Sequence, residues 1–304
     1  MKATMLFSIP VARKRLVRSR KIHRGHLWVW TGITGFISII CLIPIFEMII
    51  VSLEPMSAVE SGSWVPQTWD WSNYFYAFHT VRLLAYTIHS LIVSVSSVIL
   101  TLIIALGMAY ILARFHFRYR SGLAVAILVT QMIPAVALLL PIYILYANVQ
   151  TVSGLHLIGS FPALIMADVS IATPLAVWLI MSGLAAIPRE MDEAALVDGA
   201  THFGVLWRIL LPIALPTLAA VGIFSFLTAW NDILFASVLT DHATRTLAIG
   251  LQEYVSPGGS GGSGLVLWNQ LMAGALMSAA PAVAFFLAAQ RFLVRGLSSG
   301  AVSK

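Results

Sequence analysis

Residues 187–216 read IPREMDEAALVDGATHFGVLWRILLPIALP, and they separate two apolar runs at 163–187 and 215–239. The stretch reads as two short helices broken at Gly199. Pro188 suits a first helical position. Glu190, Asp192 and Glu193 follow at once, where the helix dipole favours negative charge. Met191, Ala194, Ala195 and Asp198 recur at helical spacing and share one face. Most of that face is small, which lets another protein's backbone come close. Gly199 can take the positive φ that ends a helix, and Thr201 can cap the next one. Phe203, Leu206, Trp207 and Leu210 then form a second stripe, suited to the membrane surface or to the packed interior. Pro212 and Pro216 bracket the return into the following apolar run. By composition alone, this hairpin either only connects two apolar segments or presents a face to another protein.

Four further apolar runs lie at 27–53, 83–113, 123–147 and 266–294, which makes six in all. About 20 apolar residues in a helix cross a hydrocarbon core of roughly 30 Å, and each run is long enough. The runs at 83–113 and 266–294 exceed one crossing, which predicts tilt or helix continuing beyond the membrane. The chain is 59% hydrophobic and only 10% charged, with a mean hydropathy of +0.91. Soluble globular proteins carry about 25% charged residues, so this composition excludes a water-soluble fold and fits an outer face in contact with lipid. The expected fold is all-α, a polytopic membrane protein with six transmembrane helices.

Basic residues orient the crossings. Sixteen of the eighteen Lys and Arg fall in the segment before the first run, after the second, after the fourth and after the sixth; the alternate segments hold only Arg82 and Arg245. The expectation is a multi-pass plasma-membrane protein, bacterial or archaeal, with both termini cytoplasmic and the 187–216 hairpin on the same side. No cleaved leader is expected, because the first run is too long and no small-residue cleavage site stands out. The expected organisation is a basic cytoplasmic tail at 1–26, a transmembrane domain at 27–294 and a cytoplasmic tail at 295–304. The net charge of +6 sits in these short segments rather than on a domain face, so topology accounts for it and a nucleic-acid partner is not expected.

The segment at 54–82 is rich in aromatic residues, with Trp64, Trp69, Trp71, Tyr74, Phe75, Tyr76 and Phe78. Aromatic side chains favour the lipid–water interface, so an interfacial helix or cap is expected, with a sugar-stacking platform as the other reading. Residues 257–264, PGGSGGSG, read as a flexible loop. His23 and His26 have a spacing that metal sites use but stand in a basic tail, and no metal cluster is expected. Cys41 is the single cysteine and forms no internal disulfide.

Lysine occurs only at positions 2, 14, 21 and 304, and none follows a phosphate-cradling loop. ATP hydrolysis by that route is therefore excluded, and no nucleophile–base pair suggests an enzyme. Three acids lie inside apolar runs: Glu47, Asp168 and Asp232. An acid at the centre of a span costs about 2.5–3.5 kcal/mol and normally faces protein or a watery cavity. A translocation pathway lined by Asn231, Asp232, Asp168 and Gln131 is one reading. A proton relay, or satisfaction near span ends, are others. Pro44, Pro134, Pro141 and Pro174 read as packing or kink positions.

Glu193-Ala194-Ala195, Gly199, Ile209, Leu211 and Pro212 resemble the EAA signature of ABC-importer permeases, EAA-x3-G-x9-I-x-LP, at all seven positions. The chain is similar to the carbohydrate, maltose-type branch of that family over most of its length. Residues 109–117, AYILARFHF, look like that branch's AYxLARFxF segment. Residues 134–141, Trp230-Asn231-Asp232 and the ending at 296–302 are similar too. Departures are His89-Ser90 in place of Asn-Ser, Glu54 in place of Lys, and Ser303-Lys304 in place of Lys-Gly.

The resemblance implies a type I importer (MetI-like) permease fold and a sugar or oligosaccharide as solute. It also implies an obligate complex with a second, homologous permease, two ATP-binding-cassette subunits and an extracytoplasmic solute-binding protein. No cofactor is expected on this chain; ATP and Mg²⁺ belong to the partner ATPase subunits. The hairpin would be the coupling helix, with Glu193, Ala194, Ala195, Asp198 and Gly199 at the ATPase contact and Ile209, Leu211 and Pro212 positioning it. A proton-coupled secondary transporter and a non-transporting membrane scaffold or receptor are the alternatives.

Overall fold

The computed structural model describes residues 24–62, 68–80, 82–252, 254–255 and 266–300. Every element among them is helical. The chain divides into two bodies, one up to Glu47 and one from Met48 onward.

The first body is the greater part of helix α1, Arg24–Ser52. Thr34 and Ser38 donate to the carbonyls four residues back, at 2.8 and 2.9 Å. This is how a hydroxyl is satisfied inside an apolar helix.

The second body runs through α2, Met56–Ser61, and α3, Ser72–Thr80, to the long helix α4, Leu83–Arg114. Next come α5, Arg120–Val129, and α6, Ala135–Ser153, then α7, Phe161–Ala185. The hairpin supplies α8, Glu190–Val197, and α9, His202–Val205, and leads into α10, Leu211–Trp230. Two short helices, α11 at Ala236–Leu239 and α12 at Leu247–Gln252, precede α13, Trp268–Gly300. Six helices among the described residues are long and apolar enough to cross a membrane.

The core is where α4 packs along α7, with α10 against both. Ala105, Ala109 and Ala113 repeat every four residues on α4 and are fully or almost fully buried, as are Ala163, Ala167, Ala172 and Ala176 on α7. In lipid no water-driven force presses helices together, so small side chains that let backbones approach do that work. Gly183 of α7 is such a point: a Cβ there would lie 2.7 Å from the Thr217 hydroxyl oxygen on α10.

Two of the expected spans are corrected. The run at 123–147 is not one helix. α5 passes into a 3₁₀ turn at Thr130–Met132, Ile133 is extended at φ −79°, ψ 122°, and α6 starts after Pro134. The ring of Pro134 disfavours helical backbone at Ile133, so the crossing is interrupted there. The fifth crossing does not lie at 215–239, and Pro212 and Pro216 do not bracket its start. A continuous helical path runs from His202 to Trp230, with a π-turn at Leu206–Leu210, where the Leu211 N–H bonds the Leu206 carbonyl. Pro212 lacks an N–H and its ring crowds the carbonyl of Arg208. The extra residue in the preceding turn relieves that conflict without ending the helix.

At the end of the bundle that carries α2 and α3, side-chain amides join three segments. Asn73 Nδ2 donates to the carbonyls of Ser52 and Glu54 at 3.1 and 2.9 Å. Asn269 Nδ2 donates to Asn73 Oδ1 at 2.9 Å and to the Glu54 carbonyl at 3.3 Å. Glu54, Asn73 and Asn269 are all buried. The expected cap at 54–82 is present as α2 and α3, with Trp69, Trp71, Phe75 and Tyr76 exposed. The 257–264 loop and Trp64 lie outside the described residues. So does the segment before Arg24. Helix α13 continues through 295–300, where a separate tail was expected.

Candidate functional site

The hairpin folds as its residue types require. The acids of the first turn of α8 are Glu190, Asp192 and Glu193. After Asp198 the backbone turns at Gly199, whose φ is +84°. The Thr201 hydroxyl accepts the Gly204 N–H at 3.1 Å and caps α9.

Only Ala195 of α8 is buried, packed in an apolar cluster with Leu184, Ile187, Val205, Leu206 and Leu210. Ala195 therefore faces the transmembrane core. Glu193, Ala194, Asp198 and Gly199 are exposed on the surface of the hairpin. Ile209 and Leu211 pack against the same cluster, whereas Pro212 is exposed. The expected second stripe divides: Leu206 and Leu210 are buried, while Phe203 and Trp207 are exposed and stack at 5.9 Å.

The end of α4 grips this hairpin. The Arg114 guanidinium places Nε 2.7 Å from Asp192 Oδ2 and Nη2 3.4 Å from Oδ1. Its Nη1 donates to the Ile187 carbonyl at 3.1 Å. Both side chains are largely buried, at 7% and 14% exposure. Tyr110 donates its hydroxyl to the His202 carbonyl at 3.1 Å, and Arg189 Nη2 donates to the Ala113 carbonyl at 3.2 Å. Burial pushes the Asp192 carboxyl above the usual carboxylate range, opposed by the charges of Arg114 and Arg189. These contacts account for residues 109–117 as a clamp. In sequence, Arg114 stands out as a loop cation that orients the chain and as part of the 109–117 segment, not as a partner of the hairpin. The signal available there was an arginine closing an apolar helix beside an acidic first turn of a neighbouring segment, which spacing alone does not connect.

Among the four polar pathway candidates, Asp168 and Asp232 lie within electrostatic reach of each other, and Asn231 and Gln131 are each held by a hydrogen bond of their own. Asp232 accepts the N–H of Phe235 at 3.1 Å and of Ala236 at 2.9 Å, one on each carboxylate oxygen. It caps α11, which explains an acid at that position. Asn231 is exposed and bonds the Leu227 carbonyl of its own helix at 2.9 Å. Gln131 is exposed and donates to the Ile171 carbonyl of α7 at 2.8 Å. Asp168 is 2% exposed, inside the α7 packing face. The departure at His89-Ser90 has a structural role: His89 Nδ1 lies 2.9 Å from the Arg245 carbonyl, and Ser90 Oγ accepts the Leu247 N–H at 2.8 Å. A carbonyl only accepts, so His89 carries its proton on Nδ1.

Among the described residues the fold has six candidate crossings, the third preceded by a broken helix, with a two-helix hairpin between the fourth and fifth. The chain belongs to the family of binding-protein-dependent transport system inner membrane components, whose profile matches residues 102–299. It is 30% identical over 285 residues to the probable ABC transporter permease protein YurM of Bacillus subtilis, covering 93% of this chain and 90% of that one. It is 29% identical to the diacetylchitobiose uptake system permease protein DasC of Streptomyces coelicolor, covering 90% and 96%. The fold is shared with a bacterial ABC transporter involved in import of the acidic polysaccharide alginate, at a TM-score of 0.71 and 20% identity, over 88% of this chain and 96% of that chain. The protein is a multi-pass permease subunit of an ABC importer in the plasma membrane.

Proposed function

We propose that this permease moves a sugar or oligosaccharide, and that its 187–216 hairpin receives the motion of a separate ATPase subunit. The observation that carries the coupling role is the exposed elbow around Gly199: α8 ends at a positive φ and its EAA residues Glu193 and Ala194 lie on the open face. The sugar class rests on a relative named for diacetylchitobiose uptake and a structural neighbour that imports alginate. These two solutes differ in size and charge, so they support a carbohydrate without selecting one. The partners are a second related permease, two ATPase subunits carrying ATP and Mg²⁺, and an external solute-binding protein. This chain's contribution is conformational rather than enzymatic. The family's dependence on a binding protein sets aside the proton-coupled alternative.

A pathway between two permeases is lined by residues that are exposed on one of them alone. Asn231 and Gln131 meet that condition, Asp232 does so in part, and the buried Asp168 does not line it directly. The test is mild-detergent purification of the tagged chain, followed by identification of the co-purifying subunits and of the solute held by the binding protein. Recovery of an ATPase pair with a sugar-loaded binding protein is the expected result. Recovery of the chain without any ATPase would end the proposal.

A further inference from the structure

We propose that Arg114 is the positioning residue that makes the coupling hairpin move as one piece with α4, and through α4 with the transmembrane core. The inference rests on the coupling role assigned above and adds the part that carries force inward. Helix α8 spans eight residues and buries only Ala195. Apolar packing therefore holds it weakly at its outer turns. The Arg114 fork instead fixes it at two places: the Ile187 carbonyl before the helix, and the Asp192 carboxylate inside it. The guanidinium meets the carboxylate by an ion-pair contact at 2.7 Å and one hydrogen bond at 3.4 Å, while its Nη1 holds the Ile187 carbonyl, so one planar group spans both points. Tyr110, one turn earlier on α4, bonds the His202 carbonyl on the far arm of the hairpin. The last turn of α4 thus holds both arms. Because α4 packs along α7 and α10, displacement of α8 is delivered to the three helices at the centre of the fold.

A purely local role for the ion pair makes a different prediction. Removing one partner of a largely buried pair leaves an uncompensated charge, whereas removing both does not. If Arg114 only neutralises Asp192, the double variant recovers. If the pair is the mechanical tie, the double variant stays defective.

The experiment uses the complete transporter in liposomes, with Cys41→Ser and a reporter Leu84→Cys at the exposed start of α4. The readout is the rate of labelling by a membrane-impermeant maleimide, with and without ATP, Mg²⁺ and vanadate. The reference permease should show a labelling change of about threefold or more. R114Q, D192N and R114Q/D192N should each reduce that change at least to half, with ATPase subunits still bound. A double variant that responds like the reference overturns the proposal. Should R114Q not assemble, D192N keeps the side-chain shape and decides in the same assay, an unchanged response again overturning it. A reporter that ignores nucleotide even in the reference permease counts against the coupling reading itself, which separates the two failures.

Discussion

Gly199 holds φ +84°, and a Cβ built there meets nothing within 4 Å. Any cost of substitution is therefore conformational, about 1–2 kcal/mol for an ordinary L-residue in the left-handed region. Asparagine tolerates that region better than most residues, and a β-branched residue tolerates it worst. The expected order of ATPase recovered with the tagged permease is Gly199, then Asn, then Ala, then Val, with membrane insertion unchanged. Equal recovery in all four would remove the elbow from the coupling role. Asp232 calls for a different series. As a cap it needs an acceptor oxygen rather than a charge, so Asp232→Asn and Asp232→Ser should retain uptake, and Asp232→Ala should lower stability by about 1 kcal/mol. Loss of uptake in Asp232→Asn at normal stability would restore a charged pathway role. Gly199 and Thr201 were legible because their roles are local: the residue types that permit positive φ or cap a helix are few. The capping role of Asp232 was not legible, because its two donors, Phe235 and Ala236, lie at the start of a short helix that periodicity inside an apolar run does not reveal.

Helix boundaries followed residue pattern even through Pro174 of α7, and departed from it at Pro134 and Pro212. The runs at 83–113 and 163–187 appear as α4 and α7 within two residues or so at each end. The third crossing is broken before Pro134, yet Pro212 leaves the fifth helix continuous because the π-turn before it absorbs the conflict. The difference lies in the residue preceding each ring: Ile133 leaves helical backbone while Leu211 keeps it, and local sequence does not specify which. Packing between the long helices rests on small residues whose register no local sequence pattern fixes. The contact of Gly183 with Thr217 makes this testable. Gly183→Ala places a methyl within 2.9 Å of Thr217 Cγ2 and 2.7 Å of its hydroxyl oxygen. Overpacking of this kind costs typically 1–3 kcal/mol. The melting temperature of the detergent-solubilised transporter should fall. Thr217→Ala in the same chain removes both crowded atoms and should recover part of the loss. A variant pair that shows no coupling would mean that α7 and α10 separate freely at this point.

The second body is fastened differently at its two ends. At the hairpin end an apolar cluster extends from the long helices into the hairpin, with the Arg114 fork at its edge. At the other end, the amides of Asn73 and Asn269 join the segment at Ser52–Glu54 to α3 and α13. The acid of Glu54 was seen only as a departure in sequence, because its backbone carbonyl, not its side chain, is what the two amides share. No periodic pattern marks a carbonyl as an acceptor. This shared acceptor predicts non-additivity. Asn73→Leu removes the donors to Ser52 and Glu54 and leaves the Asn269 amide short of a partner; a buried polar group left unsatisfied costs about 1–3 kcal/mol. Asn269→Leu likewise orphans Asn73 Oδ1. In the double variant the Asn269–Asn73 bond is gone from both sides, so neither amide is orphaned by the other. The double variant should therefore lose less stability than the two single variants together, by an interaction energy of roughly 0.5–3 kcal/mol. Thermal unfolding of the four solubilised proteins measures this directly. Strict additivity would mean that the two amides act independently, and that this end is held by packing of α3 against α13 alone.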